Sequence, residues 1–102
     1  MYMKLLRKIK VSPVGTFKVG EIKVFYRELI EAFGDPVYFE EGSKIDAEWV
    51  FETPEGIATI YNYKNGKNYL GAEGKDLEDI IDWHIGGEAE KVVKYITQAL
   101  GL

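Results

Sequence analysis

The stretch AEWVFETPEGIATIYNYK, residues 47–64, decides the fold. In its first half Ala47, Trp49 and Phe51 fall on one side of an extended chain, and Glu48, Val50 and Glu52 on the other. That period of two marks a strand with one buried face. Pro54, Glu55 and Gly56 are turn chemistry, and IATIYNYK, residues 57–64, returns as the antiparallel partner. Asn65-Gly66 reads as a second hairpin signal that turns KNYLG, residues 67–71, back onto the preceding strand. The middle of the chain is therefore β.

Outward from this centre, residues 24–33 carry a helical period: Phe25, Leu29 and Phe33 form a stripe that Tyr26 and Ile30 widen, while Arg27, Glu28 and Glu31 face outward. Gly34 stands where a terminating glycine belongs, and Pro36 prevents continuation. Residues 2–10 alternate imperfectly and predict a strand, and residues 14–19 predict a bend or a second short strand. In IIDWHI, residues 80–85, Ile81, Trp83 and Ile85 share a face, and Gly86-Gly87 reads as the joint into a last helix. That helix is striped by Ala89, Val92, Val93, Ile96, Ala99 and Leu100. The expected fold is a single α+β domain spanning residues 1–102, an antiparallel sheet of four to five strands with two helices packed on one face.

Composition excludes several classes. At 102 residues, 46% of them hydrophobic and 29% charged, the chain holds one modest core and is not of the disordered type. No apolar run approaches the ~20 residues of a membrane-spanning helix. Lys4, Arg7, Lys8 and Lys10 interrupt the apolar N-terminus, which therefore does not read as a secretion signal. The absence of cysteine removes disulfides, thiol nucleophiles and cysteine-ligated zinc, and fits a cytoplasmic location. A net charge of −4, with acidic residues gathered at 40–41, 76–82 and 88–90, argues against broad binding to duplex nucleic acid.

Two segments carry candidate chemistry. In YNYKNGKNYLG, residues 61–71, Tyr61, Tyr63 and Tyr69 interleave with Asn62, Asn65 and Asn68 and with Lys64 and Lys67. Rings that stack, amides that read hydrogen-bonding edges and lysines that meet phosphate suit a nucleotide. They equally suit a protein-docking patch or a plain hairpin of half-buried tyrosines. In DWHIGG, residues 82–87, the only histidine, His84, falls opposite Trp83 and Ile85 on the less apolar side. Ligand contact suits it better than general-base catalysis, since no serine or threonine stands in a nucleophile-elbow context. The glycine pair Gly86-Gly87 matches no phosphate loop or dinucleotide fingerprint, and no cofactor or metal is expected. A hard-ion site from Asp76, Glu78, Asp79 and Asp82 stays open, although its spacing fits no calcium loop. Glu48 and Glu52 read as solvated carboxylates on the outward face of a strand.

The run from Asp46 to Gly71 followed by DWHIGG resembles a family of small uncharacterised phage and virus proteins. Its members carry a helix ending in FG-x-P, a strand with tryptophan, IYNYK-x-GKNYLG and WHIGG, so the likeness covers roughly residues 24–100. More loosely, the helix through FGDP to the strand pair resembles a repeat of the β-lactamase-inhibitor and outer-membrane lipoprotein superfamily, without its lipobox cysteine. The first resemblance implies a virus-encoded accessory protein in the host cytoplasm. The residues then lead us to expect a non-enzymatic binding protein, acting against host antiviral defence by sequestering a nucleotide-derived signalling molecule. Trp83, His84, Gly86 and Gly87 would line its pocket beside the tyrosines, and a homo-oligomer could enlarge it. The alternative is an inhibitor that docks on a host enzyme or nuclease through the tyrosine hairpin. A third reading is a small metal-assisted hydrolase with His84 as base.

Overall fold

The computed structural model describes residues 6–13 and 15–102. The expected first strand therefore lies partly outside the described residues, as does Val14. The elements are β1 (Arg7–Ile9), β2 (Phe17–Lys23), α1 (Tyr26–Phe33), β3 (Val37–Tyr38), β4 (Ala47–Thr53), β5 (Gly56–Tyr61), α2 (Lys67–Leu70), β6 (Asp82–Gly87) and α3 (Val93–Ala99), with short 3-10 turns at residues 71–73, 77–79 and 90–92. The strands form one antiparallel sheet in the order β1-β4-β5-β6-β2, with β3 pairing beside β1 on β4. The α+β architecture is as expected, with six strands.

The alternation in β4 and β5 sets the two faces. Trp49 pairs with Ile60 and Phe51 with Ala58; Ile60 pairs in turn with Ile85, and Trp83 with Ile22. These side chains form the core face, where Leu29 and Phe33 of α1, Val92, and Tyr95 and Ile96 of α3 pack onto them. Helix α1 is held at both ends by indoles. Trp83 Nε1 donates to the carbonyl of Val24 at 3.1 Å, just before the helix, and Trp49 Nε1 donates to that of Gly34 at 2.9 Å, just after it. The two indoles meet edge to face at 5.6 Å, and the Tyr26 ring rests on both. Truncating such a buried indole costs about 3–5 kcal/mol. Gly34 takes φ +77°, and its N–H closes on Ile30, so the glycine stop falls where expected.

Three expectations are corrected. KNYLG is not a strand: Asn65-Gly66 forms no hairpin, and Lys67–Leu70 is a helical turn. Asp46 decides this. Its carboxylate fills the space where a side chain at Gly66 would go and accepts from the Asn68 N–H at 3.2 Å and from Asn62 Nδ2 at 2.8 Å. The fully buried Asn62 accepts in return from the Asp46 and Ala47 N–H groups. Secondly, Gly86 and Gly87 are not the joint before a helix but the last residues of β6. Thirdly, Ile80 is the buried isoleucine of its pair, while Ile81 is exposed.

Both glycines of β6 are pressed from above. A Cβ at Gly86 would stand 2.8 Å from Thr59 Cγ2 and 3.3 Å from Tyr61 Cε1 on the helix-free face. A Cβ at Gly87, on the core face, would collide with Val92 Cγ2 and lie 3.2 Å from the Ala89 carbonyl oxygen and 3.3 Å from that of Ile57. Overpacking of this kind costs about 1–3 kcal/mol. Gly87→Ala, with backbone among its obstacles, is expected near the top of that range and Gly86→Ala near the bottom, as read from urea midpoints. The reverse order would contradict the packing described.

Candidate functional site

The helix-free face of the sheet assembles the chemically active side chains in rows. Glu48 on β4 stands opposite Tyr61 on β5, Tyr61 opposite His84 on β6, and His84 opposite Glu21 on β2. The adjoining row runs Ile9, Val50, Thr59, Gly86 and Lys18. Directly opposed side chains sit about 4.5–5.5 Å apart at Cβ, so the first row is a continuous contact surface, while the second is interrupted at Gly86.

Three rings converge in the first row. His84 meets Tyr61 edge to face at 5.4 Å and stacks on Tyr63 at 5.6 Å with 28° between planes. Tyr61 and Tyr63 meet edge to face at 6.4 Å. Lys64 follows in a left-handed conformation, φ +58°, with Nζ 5.3 Å from the centre of the Tyr63 ring and 5.5 Å from that of Tyr69. One ammonium thus bridges two exposed tyrosines, a cation–π arrangement. Tyr61, Tyr63, Lys64, Tyr69 and His84 therefore come together.

The other expected site residues do not join them. Trp83 is fully buried on the opposite face of the sheet. Gly86 lies under Thr59 and Tyr61, and Gly87 under Val92, so neither lines an open pocket. Lys67 pairs with Asp76 at 3.7 Å. Asn68 Nδ2 donates to the carbonyls of Phe39 and Ile45, and Asn65 Oδ1 accepts from Asn62. The amides fasten the loop rather than read a ligand. The acidic run also separates: Asp82 pairs with Lys23, and among the described residues no three acidic or histidine side chains group as metal ligands.

One residue read as solvated belongs to the site. Glu48 is only 8% exposed and accepts from the Thr59 hydroxyl at 2.7 Å. Burial pushes its carboxyl above the ordinary value, with the Thr59 bond opposing. Burial likewise raises the Tyr61 phenol, and the charge on Glu48 adds to it. His84 moves the other way: burial holds its imidazole below the ordinary 6.5, Lys18 adds to this, and Glu21 and Asp82 oppose. The shift favours the neutral imidazole, which has one nitrogen able to donate and one able to accept. Lys18 and Glu21 are not visible from spacing, and Glu48 reads as solvated, because cross-strand register, not sequence, makes them neighbours.

No protein-family model matches the chain, and no curated protein matches it.

Two titrations test these environments. A carboxylate with a raised folded-state pKa contributes stability that is complete below its ordinary 4.5 and is lost as the pH rises through the folded value. Glu48→Gln, which keeps the Thr59 acceptor, should thus stabilise by about 1 kcal/mol at pH 7, or about 4–8 °C in Tm, and give no advantage below pH ~4. A Tm advantage confined to acid would reverse the assignment. For His84, stability is complete above its ordinary value and falls as the pH drops through the lowered one. Its imidazole resonances should accordingly titrate with a midpoint below that of a histidine in an unstructured peptide.

Proposed function

We propose that the protein acts by binding, without chemistry of its own, and that Tyr63, Lys64, Tyr69 and His84 form its docking surface for another protein. The observation that carries this reading is the exposed ring pair under one ammonium. Tyr63 is 39% and Tyr69 45% exposed, with Leu70 at 44% beside them, on a segment whose backbone is fastened by Asp46, Asn62 and Asn68. Tyrosine on a rigid support contributes contact area at low entropic cost, which is why it recurs at interface centres. The rings ride on a sheet face and its adjoining loop. Small-molecule sites are concave as a rule, and the largest cavity described opens on the other face, which tilts the balance towards a protein partner. In the setting implied by the resemblance to phage and virus proteins, the partner is a host defence enzyme or nuclease in the cytoplasm.

A second reading, capture of a nucleotide-derived signal, draws support from the stack itself. A base laid on Tyr63 would bring phosphate towards Lys64, with Lys18 next to His84. The two readings separate in one experiment. Under the first, Tyr63→Ala and Tyr69→Ala each weaken capture of a partner from host lysate by about 2 kcal/mol, roughly thirtyfold, without changing Tm by nucleotide addition. A thermal shift with cyclic or linear nucleotides that disappears in Tyr63→Ala favours the second. Capture indifferent to both tyrosines would sink the docking surface.

A further inference from the structure

The helix-bearing side of the molecule holds a trough that the docking surface does not use. One basin of about 650 Å³ lies between α1 and the 3-10 turn at residues 77–79, lined by Phe25, Tyr26, Arg27, Ile30, Glu31, Glu78 and Asp79. A second of about 480 Å³ shares Tyr26 and Glu78 with it and adds Tyr38, Asp76 and Leu77. The floor is aromatic and fixed: the Tyr26 ring stacks on Trp83 at 6.2 Å, and its hydroxyl shares a 2.5 Å hydrogen bond with that of Tyr38. Burial pushes the Tyr26 phenol well above its ordinary value, the bond to Tyr38 adds, and the charges of Asp35 and Glu78 add further.

The walls are acidic, with Arg27 the cationic side chain among the residues that line them. Among the described residues no lysine or arginine stands within ion-pair distance of Glu31, Glu78 or Asp79, whereas Glu21, Glu52, Asp76 and Asp82 each have a cationic partner. The trough already accommodates one cation on a ring: the Arg27 guanidinium lies 5.3 Å above the centre of Phe25. Aromatic faces and carboxylates together select an organic cation over a strongly hydrated metal ion.

We propose that this trough binds a linear aliphatic polyamine, its methylenes lying on Tyr26, Ile30 and Leu77 and its ammonium groups meeting Glu31 on the helix wall and Glu78 and Asp79 on the turn wall. Carboxylates on two walls with an apolar floor between them match spaced ammonium groups on an apolar stem. A basic peptide fits less well. The turn that forms one wall spends its N–H groups internally, Asp79 on Asp76 and Ile80 on Leu77, and offers a peptide no free strand edge.

Calorimetry with spermidine in buffer of physiological ionic strength tests the proposal. Binding tighter than about 1 mM is expected, weakened at least about tenfold by Glu78→Gln and by Glu31→Gln and unaffected by Tyr63→Ala. Both glutamates are exposed, so their amides leave the fold intact; matching Tm values check this. Three results would overturn the proposal: no heat of binding at several times that concentration, equal displacement by magnesium at matched charge, or a lysine-rich peptide binding more tightly than spermidine through Glu78.

Discussion

Two indole N–H groups tie the sheet to its helix, and the rest of the molecule is arranged around that tie. Trp49 on β4 and Trp83 on β6 flank the central strand β5, so the carbonyls they grasp, at Gly34 and Val24, lie at opposite ends of α1. The Trp83 bond joins residues 59 apart in sequence and the Trp49 bond residues 15 apart, and together they fix the helix in position and direction. The aromatic floor beneath Tyr26 is the far side of the same joint. A buried indole left without an acceptor would cost most of what its burial contributes, so the helix ends are held as firmly as the core.

The sheet then divides the protein into two surfaces of different character. The core side carries helices and an acidic trough; the other side carries the Glu48–Tyr61–His84–Glu21 row and the exposed tyrosines. Strand alternation alone separates them, since Trp83 and His84 are consecutive residues that look in opposite directions. A polar row on a partly buried sheet face is costly, and its titratable groups show this: Glu48 and His84 are displaced in opposite directions, each towards its neutral form.

Much of this could be read from residues alone, wherever one physical preference acted without a competitor. The period of two in residues 47–60, the Leu29–Phe33 part of the helical stripe with its stop at Gly34, and the opposition of His84 to Trp83 are of this kind, whereas Phe25, read into the stripe, is 48% exposed and only caps the helix. Where two forces met, local reading failed. Asn65-Gly66 has strong hairpin chemistry, but the Asp46 carboxylate, nineteen residues earlier, claims the space beside Gly66 and the Asn68 N–H. Gly86 and Gly87 read as a flexible joint because the side chains crowding them, Thr59, Tyr61 and Val92, lie elsewhere in the chain. Glu48 read as solvated because alternation reports which face a residue occupies, not whether that face is wet. The amides Asn62, Asn65 and Asn68 were visible as a group, but a backbone acceptor and a ligand acceptor make the same demand on composition.

The bulge in β2 has a bearing on how the molecule lives among its neighbours. This strand ends the sheet on one side, and its register with β6 slips between Lys18 and Gly20. Lys18, Glu21 and Lys23 lie along it, and among the described residues the opposite edge is occupied by the three-residue β1 and the two-residue β3. A foreign strand approaching either border meets a broken ladder of amides, or one too short to propagate. The exposed rings thus sit on the face of the sheet, while its described rims are poorly suited to templated stacking.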